Sequence, residues 1–345
     1  MAPVRNSHPD APSRRALLRA GAGAALAAGM PLRAPAAVRV PRVAMILYRG
    51  ETDVEKGFRD HFAGRLMPVE YLVRDVALDV TRVREHVAEA RAWQADLIYT
   101  WGTPVSLAVA GRVGAVNPAV HVTDVPVVFT MVATPVGCGL VPSLTSSGRN
   151  LTGTCHVVPV RQQLAAIRAY RPFRRVGIIY NPVEPNSVQT VRELRAAMRA
   201  EGMTLLERPV PLDDTRRPQP ASLPELVADL AERGATLLYI GPDSFLAAHR
   251  APLTDAALAV GLPCFAATEV MLREGKALFG LVSDYGAVGR LTAHKAAQIL
   301  QRRTPPADIP IETLARFTYV VNMRVAAQLN LPPPRSVSAY AELLT

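Results

Sequence analysis

The chain has 345 residues, of which 49% are hydrophobic and 20% are charged, and its formal net charge is +10 at pH 7. This composition is typical of a globular protein and excludes an intrinsically disordered chain. Residues 1–36 hold five arginines and one aspartate, so removing them lowers the net charge from +10 to +6. The remaining basic residues are scattered and have no interleaved aromatic residues, which argues against a nucleic-acid-binding protein.

Residues 1–36 have the three regions of an export signal in the expected order. The pair Arg14-Arg15 precedes an apolar run over residues 20–30, and small residues follow at 34–36. This pattern predicts a twin-arginine (Tat) signal peptide over residues 1–36, cleaved near Ala36. The apolar run is shorter than the roughly 20 residues that span a bilayer. We therefore expect a periplasmic protein that is soluble after cleavage.

Short apolar strands alternate with amphipathic helices along the rest of the chain. In the first run, strands are predicted over residues 43–48, 69–73, 96–101 and 125–131, and helices over 54–65, 80–93 and 103–110. In the second run, strands are predicted over 175–180, 204–209, 235–240 and 263–266, and helices over 160–170, 187–201, 224–232 and 252–260. A third part offers a strand at 278–282, a helix at 287–300, an apolar run at 317–321 and a final helix that ends at 329.

This alternation predicts an α/β fold with parallel sheets and right-handed crossovers. Two runs that join near residue 150 predict two doubly wound lobes. The third part is too short to be a domain, so we expect the chain to cross between the lobes again and form a multi-strand hinge. The predicted first lobe comprises residues 40–150 and about 284–308, and the second comprises 151–283 and about 309–335.

Polar residues follow the predicted strands in both lobes, at the sheet edge where ligands bind in open α/β folds. Examples are the Tyr48-Arg49-Gly50 turn and the Gly241-Pro242-Asp243 turn. The sequence contains no nucleophile elbow, no H-E-x-x-H zinc motif, no phosphate-binding loop and no dinucleotide-binding glycine motif. We therefore expect no catalytic activity, and no catalytic residue, metal ligand or cofactor.

Three cysteines, Cys138, Cys155 and Cys264, lie outside the predicted signal peptide. An odd number cannot all pair within one chain, and none belongs to a C-x-x-C motif. Buried free thiols are the main expectation, and a disulfide between Cys138 and Cys155 is the alternative in an oxidising compartment.

Several motifs, in their order and spacing, resemble the tryptophan/tyrosine-type substrate-binding proteins of ABC transporters. The longest is the stretch over residues 176–187, and the others lie at 57–59, 96–98, 103–104, 125–129, 135–137, 148–153, 243, 261–263, 284–285, 289, 309–312, 322 and 326. The resemblance covers about residues 43–333. It implies a type I periplasmic binding protein fold, in which two lobes close over a small solute and present it to a membrane permease.

The resemblance also implies a set of ligand-binding residues at the edges of the cleft. They are Thr103, Thr134, Asn181, Glu184, Asn186, Asp243, Thr268 and Tyr285. If the ligand is an amino acid, Asp243 is expected to pair with its ammonium group. The implied partners are a small molecule, such as an amino acid or an aromatic compound, and an ABC permease in the inner membrane. We expect a monomer that does not bind nucleic acid.

Two departures from the family pattern affect the ligand. The family often has Asp-Pro where this chain has Thr134-Pro135, and this chain has a bulky Trp101 just before Thr103. Trp101 either stacks on a flat ligand or packs within its lobe. Two other functions remain open: a sensory receptor of the same fold that signals to a membrane histidine kinase, and, less favoured, a secreted hydrolase.

Overall fold

The computed structural model describes Met1 and residues 39–345. The predicted signal peptide over residues 1–36 lies outside the described residues, apart from Met1. Residues 40–345 form one compact unit that contains two separate β-sheets. Each sheet belongs to one of two α/β lobes, as the alternation of strands and helices predicts.

The first lobe is built on a parallel sheet with strand order β2-β1-β3-β4-β5 in the described chain. Its strands are β1 (Arg42–Leu47), β2 (Glu70–Asp75), β3 (Leu97–Trp101), β4 (Val127–Thr130) and β5 (Leu151–Gly153). The helices between them are α1 (Asp53–Ala63), α2 (Val83–Ala92) and α3 (Thr103–Ala110).

The second lobe is built on a mixed sheet with strand order β12-β11-β10-β9-β8-β6-β7 in the described chain. Its strands are β6 (Arg175–Tyr180), β7 (Thr204–Pro209), β8 (Leu237–Ile240), β9 (Cys264–Ala266), β10 (Phe279–Val282), β11 (Thr318–Asn322) and β12 (Glu342–Leu344). The remaining helices are α4 (Val160–Tyr170), α5 (Pro185–Ala200), α6 (Leu223–Glu232), α7 (Ser244–Ala248), α8 (Arg250–Ala259), α9 (Val270–Arg273), α10 (Tyr285–Arg302), α11 (Met323–Gln328) and α12 (Arg335–Ser338).

Both faces of the first sheet are buried, and for this reason its strands read as continuous apolar runs. Along β1, Val43 and Met45 belong to the hydrophobic cluster on one face, which includes Phe58 of α1. Ala44 and Ile46 belong to the cluster on the opposite face. Successive side chains of a strand point to opposite faces, so this division places helices on both sides of the sheet.

Strand β11 departs from the expected parallel pattern, because it runs antiparallel to β10 with Gly280 opposite Val320. After β10 the chain passes to the first lobe through α10 and returns near the edge where β10 ended, since Val282 pairs with Thr318. A strand that starts where its neighbour ends must run in the opposite direction.

Within residues 39–345 the chain passes between the lobes in three segments: 154–159, 283–284 and 309–317. The first and third lie side by side, because the Cys155 N–H donates to the Glu312 carbonyl at 2.8 Å. The second is attached to the first by the Ser283 hydroxyl, which donates to the His156 carbonyl at 2.6 Å. These contacts form the multi-strand hinge that the sequence predicts.

Three buried threonines hold α10 against the first sheet at the hinge. The Thr154 hydroxyl lies 2.6 Å from that of Thr292 and 3.2 Å from that of Thr130, and Thr292 donates to Thr130 at 3.1 Å. On the same helix, the buried Lys295 ammonium donates to the Pro310 carbonyl and to the Glu312 carboxylate, both at 2.5 Å. Helix α10 therefore anchors the first and third crossings.

The observed elements differ from the predictions at several short segments. The strand Leu151–Gly153 belongs to the first sheet, so the first crossing begins after Gly153 and not at residue 150. Helix α5 begins at Pro185, two residues before the predicted start at residue 187. Proline fits this first helical position because it has no N–H that needs a partner. The full lobe boundaries given above stay a prediction.

The three cysteines are all buried free thiols, which confirms the main expectation from the sequence. Among the described helices, none is both long and apolar enough to cross a membrane.

Glycines allow α1 and α10 to pack at backbone distance. A Cβ atom at Gly289 of α10 would lie 2.0 Å from the Val54 carbonyl oxygen, and a Cβ at Gly57 of α1 would lie 2.2 Å from the Gly286 carbonyl oxygen. Both obstacles are backbone atoms, so a side chain cannot be accommodated there without moving a helix.

We expect Gly289→Ala to lower the free energy of unfolding by about 1–3 kcal/mol, because the added methyl group overpacks the contact between α1 and α10. The measurement is urea unfolding followed by circular dichroism. Gly286→Ala is the matched control on the same helix, because the nearest atom to its Cβ would be the end of the flexible Arg290 side chain, at 3.3 Å. The backbone oxygen nearest to it, that of Asp53, lies at an ordinary contact distance of 3.9 Å. Equal effects of the two substitutions would contradict this account.

Candidate ligand-binding site

A cavity lies between the lobes, where the carboxyl ends of strands from both sheets meet. It is narrow in this structure, with a volume of about 30 Å³. We call it the central cavity, and its lining residues are Arg49, Trp101, Thr103, Met131, His156, Asn186, Pro242, Asp243, Ser244, Ala247, Thr268, Val270 and Tyr285. A wider opening, the outer cleft, adjoins it and shares Arg49, Val270 and Tyr285.

The first lobe contributes a cation stacked on an indole ring. Arg49 follows β1, and Trp101 ends the neighbouring strand β3. The Arg49 guanidinium carbon lies 5.0 Å from the centre of the Trp101 ring, within the range of a cation–π contact. Neither Nε of Arg49 nor Nε1 of Trp101 has a hydrogen-bond partner among the described residues, although both atoms are buried.

His156, in the first crossing, adds a neutral polar ring to the same wall. Burial, together with the nearby Arg49 charge, lowers the pKa of His156 to about 3. The ring is therefore uncharged at neutral pH. Its Nδ1 atom is buried and has no partner in the described chain. A neutral imidazole nitrogen can donate or accept a hydrogen bond, depending on its tautomer.

The second lobe contributes an amide oxygen and a hydroxyl. The Asn186 side-chain nitrogen donates to the Glu184 carboxylate at 2.9 Å and to the Pro242 carbonyl at 2.7 Å. These two acceptors fix the orientation of the amide, so its Oδ1 atom is an acceptor that has no partner among the residues described. The Thr268 hydroxyl is also buried and unpartnered within residues 39–345.

Asp243 and Glu184 form a buried acidic pair that is supplied with donors by its own lobe. Asp243 caps α7 and accepts from the Leu246 N–H at 2.9 Å, the Asn181 N–H at 2.7 Å and the Ser187 hydroxyl at 2.5 Å. Glu184 accepts from the Ser244 N–H at 3.0 Å and its hydroxyl at 2.8 Å. Burial, together with the Asp243 charge, raises the pKa of Glu184 to about 7.

The structure brings five of the eight sequence-predicted residues to the central cavity. They are Thr103, Asn186, Asp243, Thr268 and Tyr285. Asn181 and Glu184 line an adjoining opening instead, together with Tyr48 of the first lobe. Thr134 is outside the lining of the central cavity, and its buried hydroxyl has no partner in the part of the chain that the structure describes.

Sequence reasoning left Arg49 and His156 out of the predicted site. Arg49 lies in one of the polar strand-end turns of the sequence, but only the structure reveals that none of the described carboxylates forms an ion pair with it. His156 follows the short strand β5, which the apolar pattern did not predict. Trp101 packs in its lobe and also lines the cavity, so the two interpretations of this residue are compatible.

Residues 84–344 match the profile of the family described as ABC transporter substrate binding protein. The chain belongs to this family. It is also 26% identical over 228 residues to the tyrosine-binding protein of Clostridioides difficile strain R20291. That match covers 66% of this chain and spans only 61% of the length of the relative.

Two solved structures resemble this substrate-binding protein in fold. One is an ABC domain from Streptococcus pneumonia in complex with L-Trp, with a TM-score of 0.77 and 22% identity. The other is a conserved domain protein from Vibrio cholerae, with a TM-score of 0.78 and 23% identity. In each case the match covers 89% of this chain and 100% of the other. The chain therefore has the type I periplasmic binding protein fold.

The raised pKa of Glu184 predicts a pH-dependent stability. The folded protein keeps a proton on this carboxyl up to about pH 7, whereas an unfolded chain releases it near 4.5. The stabilisation is therefore fully present below about pH 4.5 and is lost as the pH rises through about 7. We expect Glu184→Gln, which cannot ionise, to melt at a higher temperature relative to wild type at pH 8 than at pH 5.

The measurement is differential scanning calorimetry of both proteins across this pH range. Glu225→Gln, at an exposed position on α6, is the control and should show the same pH dependence as wild type. Parallel melting curves for Glu184→Gln and wild type would show that the carboxyl is already ionised when folded.

Proposed function

We propose that this protein captures one small molecule in the central cavity and delivers it to an ABC permease in the inner membrane. The observation that carries the proposal is the set of buried polar atoms without protein partners on both sides of the cavity. Arg49, Trp101 and His156 provide them at the first lobe and the hinge, and Asn186 and Thr268 provide them on the second lobe. Buried polar groups normally have hydrogen-bond partners, so a ligand is the natural partner for this set.

Rotation of the lobes about the hinge gives such a ligand access to the central cavity. Crossing segments can absorb the rotation of one lobe against the other, as in other proteins that close around a ligand. At one rim of the cleft the lobes already touch, because a Cβ at Gly137 would lie 2.7 Å from the Gln189 side chain. Opening about the hinge separates these two residues and exposes the cavity, and closing brings donors from both lobes onto the ligand.

An amino acid or an aromatic compound is the proposed class of ligand. Similarity supports this class, because one relative is named as a tyrosine-binding protein and one structure of the same fold holds L-Trp. The walls of the cavity also suit an apolar body, since Trp101, Met131, Val270 and Tyr285 contribute to them. The proposed role involves binding without catalysis, as a monomer, with the energy for transport supplied by a separate ATPase.

The proposed location is the periplasm, reached through the Tat pathway. The twin arginine at Arg14-Arg15 and the following apolar run support this route. Tat substrates are exported in the folded state, which agrees with a mature protein whose cysteines are free thiols.

A ligand that binds only the folded protein stabilises it by mass action, by about 2.7 kcal/mol at a hundred times its Kd. We expect one or a few compounds from a panel of amino acids, aromatic acids, nucleosides and sugars to raise the Tm of the purified protein. Thermal-shift assays would identify them, and calorimetric titration should give a stoichiometry of one. A flat Tm across the panel together with turnover of ester or amide substrates would instead indicate a hydrolase.

The export route has a separate test. Replacing the pair with lysines, as Arg14→Lys with Arg15→Lys, should abolish export through Tat, because that pathway reads the two arginines. The periplasmic fraction is measured by immunoblotting in a bacterial host. The control, Arg5→Lys with Arg33→Lys, keeps the pair and should be exported like wild type. Unchanged export of the first variant would rule out the Tat route.

A further inference from the structure

We propose that the ligand is a carboxylate anion without an ammonium group, held at its carboxylate by Arg49 and Trp101, with a hydroxyl that donates to Asn186. This inference rests on the proposed function and narrows its ligand class. It also gives Asp243 a structural role, in place of the ammonium-binding role that the family resemblance implies.

Arg49 places a positive charge at the wall of the central cavity. Its guanidinium is half-buried at the cavity wall, and its contact with the Trp101 ring leaves Nε without a partner among the described residues. A charge that is withdrawn from water is costly unless it is paired. The adjacent Trp101 Nε1–H is a second unpartnered donor, so the two groups together can hold the oxygens of one carboxylate.

The carboxylates near the cavity already accept hydrogen bonds from protein donors. An ammonium group needs a carboxylate with acceptor capacity to spare. Among the described residues, Asp243 lines the central cavity, and Glu184 and Glu269 line the openings beside it. All three already have donors of their own. Asp243 accepts three hydrogen bonds from its own lobe. Glu184 is bonded by Asn186 and Ser244. Glu269 pairs with Arg273 and accepts the Tyr285 N–H at 2.8 Å.

The outer cleft holds further acidic residues, but they are poor partners for an ammonium group inside the cavity. Glu51 pairs with Arg59, and Glu274 pairs with Arg250. Asp53 is exposed at the start of α1, where solvent screens its charge. An ammonium group in the central cavity would therefore lose its hydration and compete for Asp243 with the three donors that this carboxylate already accepts.

The second lobe offers the ligand a neutral acceptor. Asn186 presents Oδ1 as an acceptor, because its nitrogen is committed to Glu184 and Pro242. The matching ligand group is a neutral donor, and the Thr268 hydroxyl and the neutral His156 ring can each donate or accept beside it. Between the two polar ends, Met131, Ala247 and Val270 provide apolar walls. A hydroxylated carboxylate with an apolar body satisfies all of these groups.

The test compares acids that differ by a single group, by calorimetric titration of the purified protein. The panel pairs 3-(4-hydroxyphenyl)propionate with tyrosine and tyramine, indole-3-propionate with tryptophan and tryptamine, and lactate with alanine. It also includes 4-hydroxybenzoate and benzoate to test the hydroxyl. We expect the tightest ligand to be a hydroxylated acid that binds about tenfold or more tightly than its amino counterpart, whose ammonium must give up its hydration and compete with the donors of Asp243.

Arg49→Gln should weaken binding of that acid by about tenfold or more, since a hydrogen bond to a charged group is lost. Arg49→Lys keeps the charge but not the planar fork, so its affinity should fall between those of Arg49→Gln and wild type. The control is Arg91→Gln, at an exposed pair with Asp124 on the same lobe, and it should bind like wild type. The Tm of each variant without ligand shows whether it is folded.

The possible results distinguish the proposed ligand class from the proposed binding function. If tyrosine, tryptophan or alanine binds more tightly than its acid, or if Arg49→Gln is folded and binds the acid like wild type, the inference is overturned and the binding role stands. If no compound of this panel or of the wider metabolite panel binds, both are overturned.

Discussion

The backbone contact between α1 and α10 is the constraint on which the rest of the structure depends. Helix α10 follows strand β10 of the second sheet, yet Gly57 and Gly289 let it lie directly against α1 of the first lobe. Because α10 packs against the first lobe, the chain must leave the second sheet after β10 and return to it at β11. The multi-strand hinge, the antiparallel β11 and the position of Tyr285 at the cavity all follow from this helix pair.

The two sides of the cavity are chemically unequal. The first lobe presents a cation and an indole N–H that lack hydrogen-bond partners among the described residues, whereas the second lobe presents carboxylates that its own N–H and hydroxyl groups already occupy. A helix N-terminus supplies part of that occupation, since Asp243 caps α7. The Asp243 carboxylate orders the turns that follow the strands of the second lobe. The same lobe still offers a neutral acceptor, Oδ1 of Asn186. This asymmetry supports the proposal that the ligand is an anion rather than a zwitterion.

Local pattern was sufficient for most of the fold. The segments at 103–110, 160–170, 175–180 and 204–209 lie where propensity and apolar periodicity predict them. The failures are short elements: β5 and β12 have three residues each, too few to show a period, and α7 and α9 are single turns next to strand ends. Such segments acquire their structure from pairing or capping partners that are distant in sequence, such as Val127 for Leu151.

The sequence by itself determined the α/β class, the two lobes, the family and the sheet edges at which polar residues gather, because these depend on local periodicity and on motifs close in the chain. Only the tertiary structure decided which of those polar residues are free to bind. Asp243 and Arg49 look equally available in the sequence, but the folded chain brings Asn181 and Ser187 onto the aspartate and brings no described carboxylate onto the arginine. Pairing of charges depends on distances across the fold, which a linear pattern does not contain.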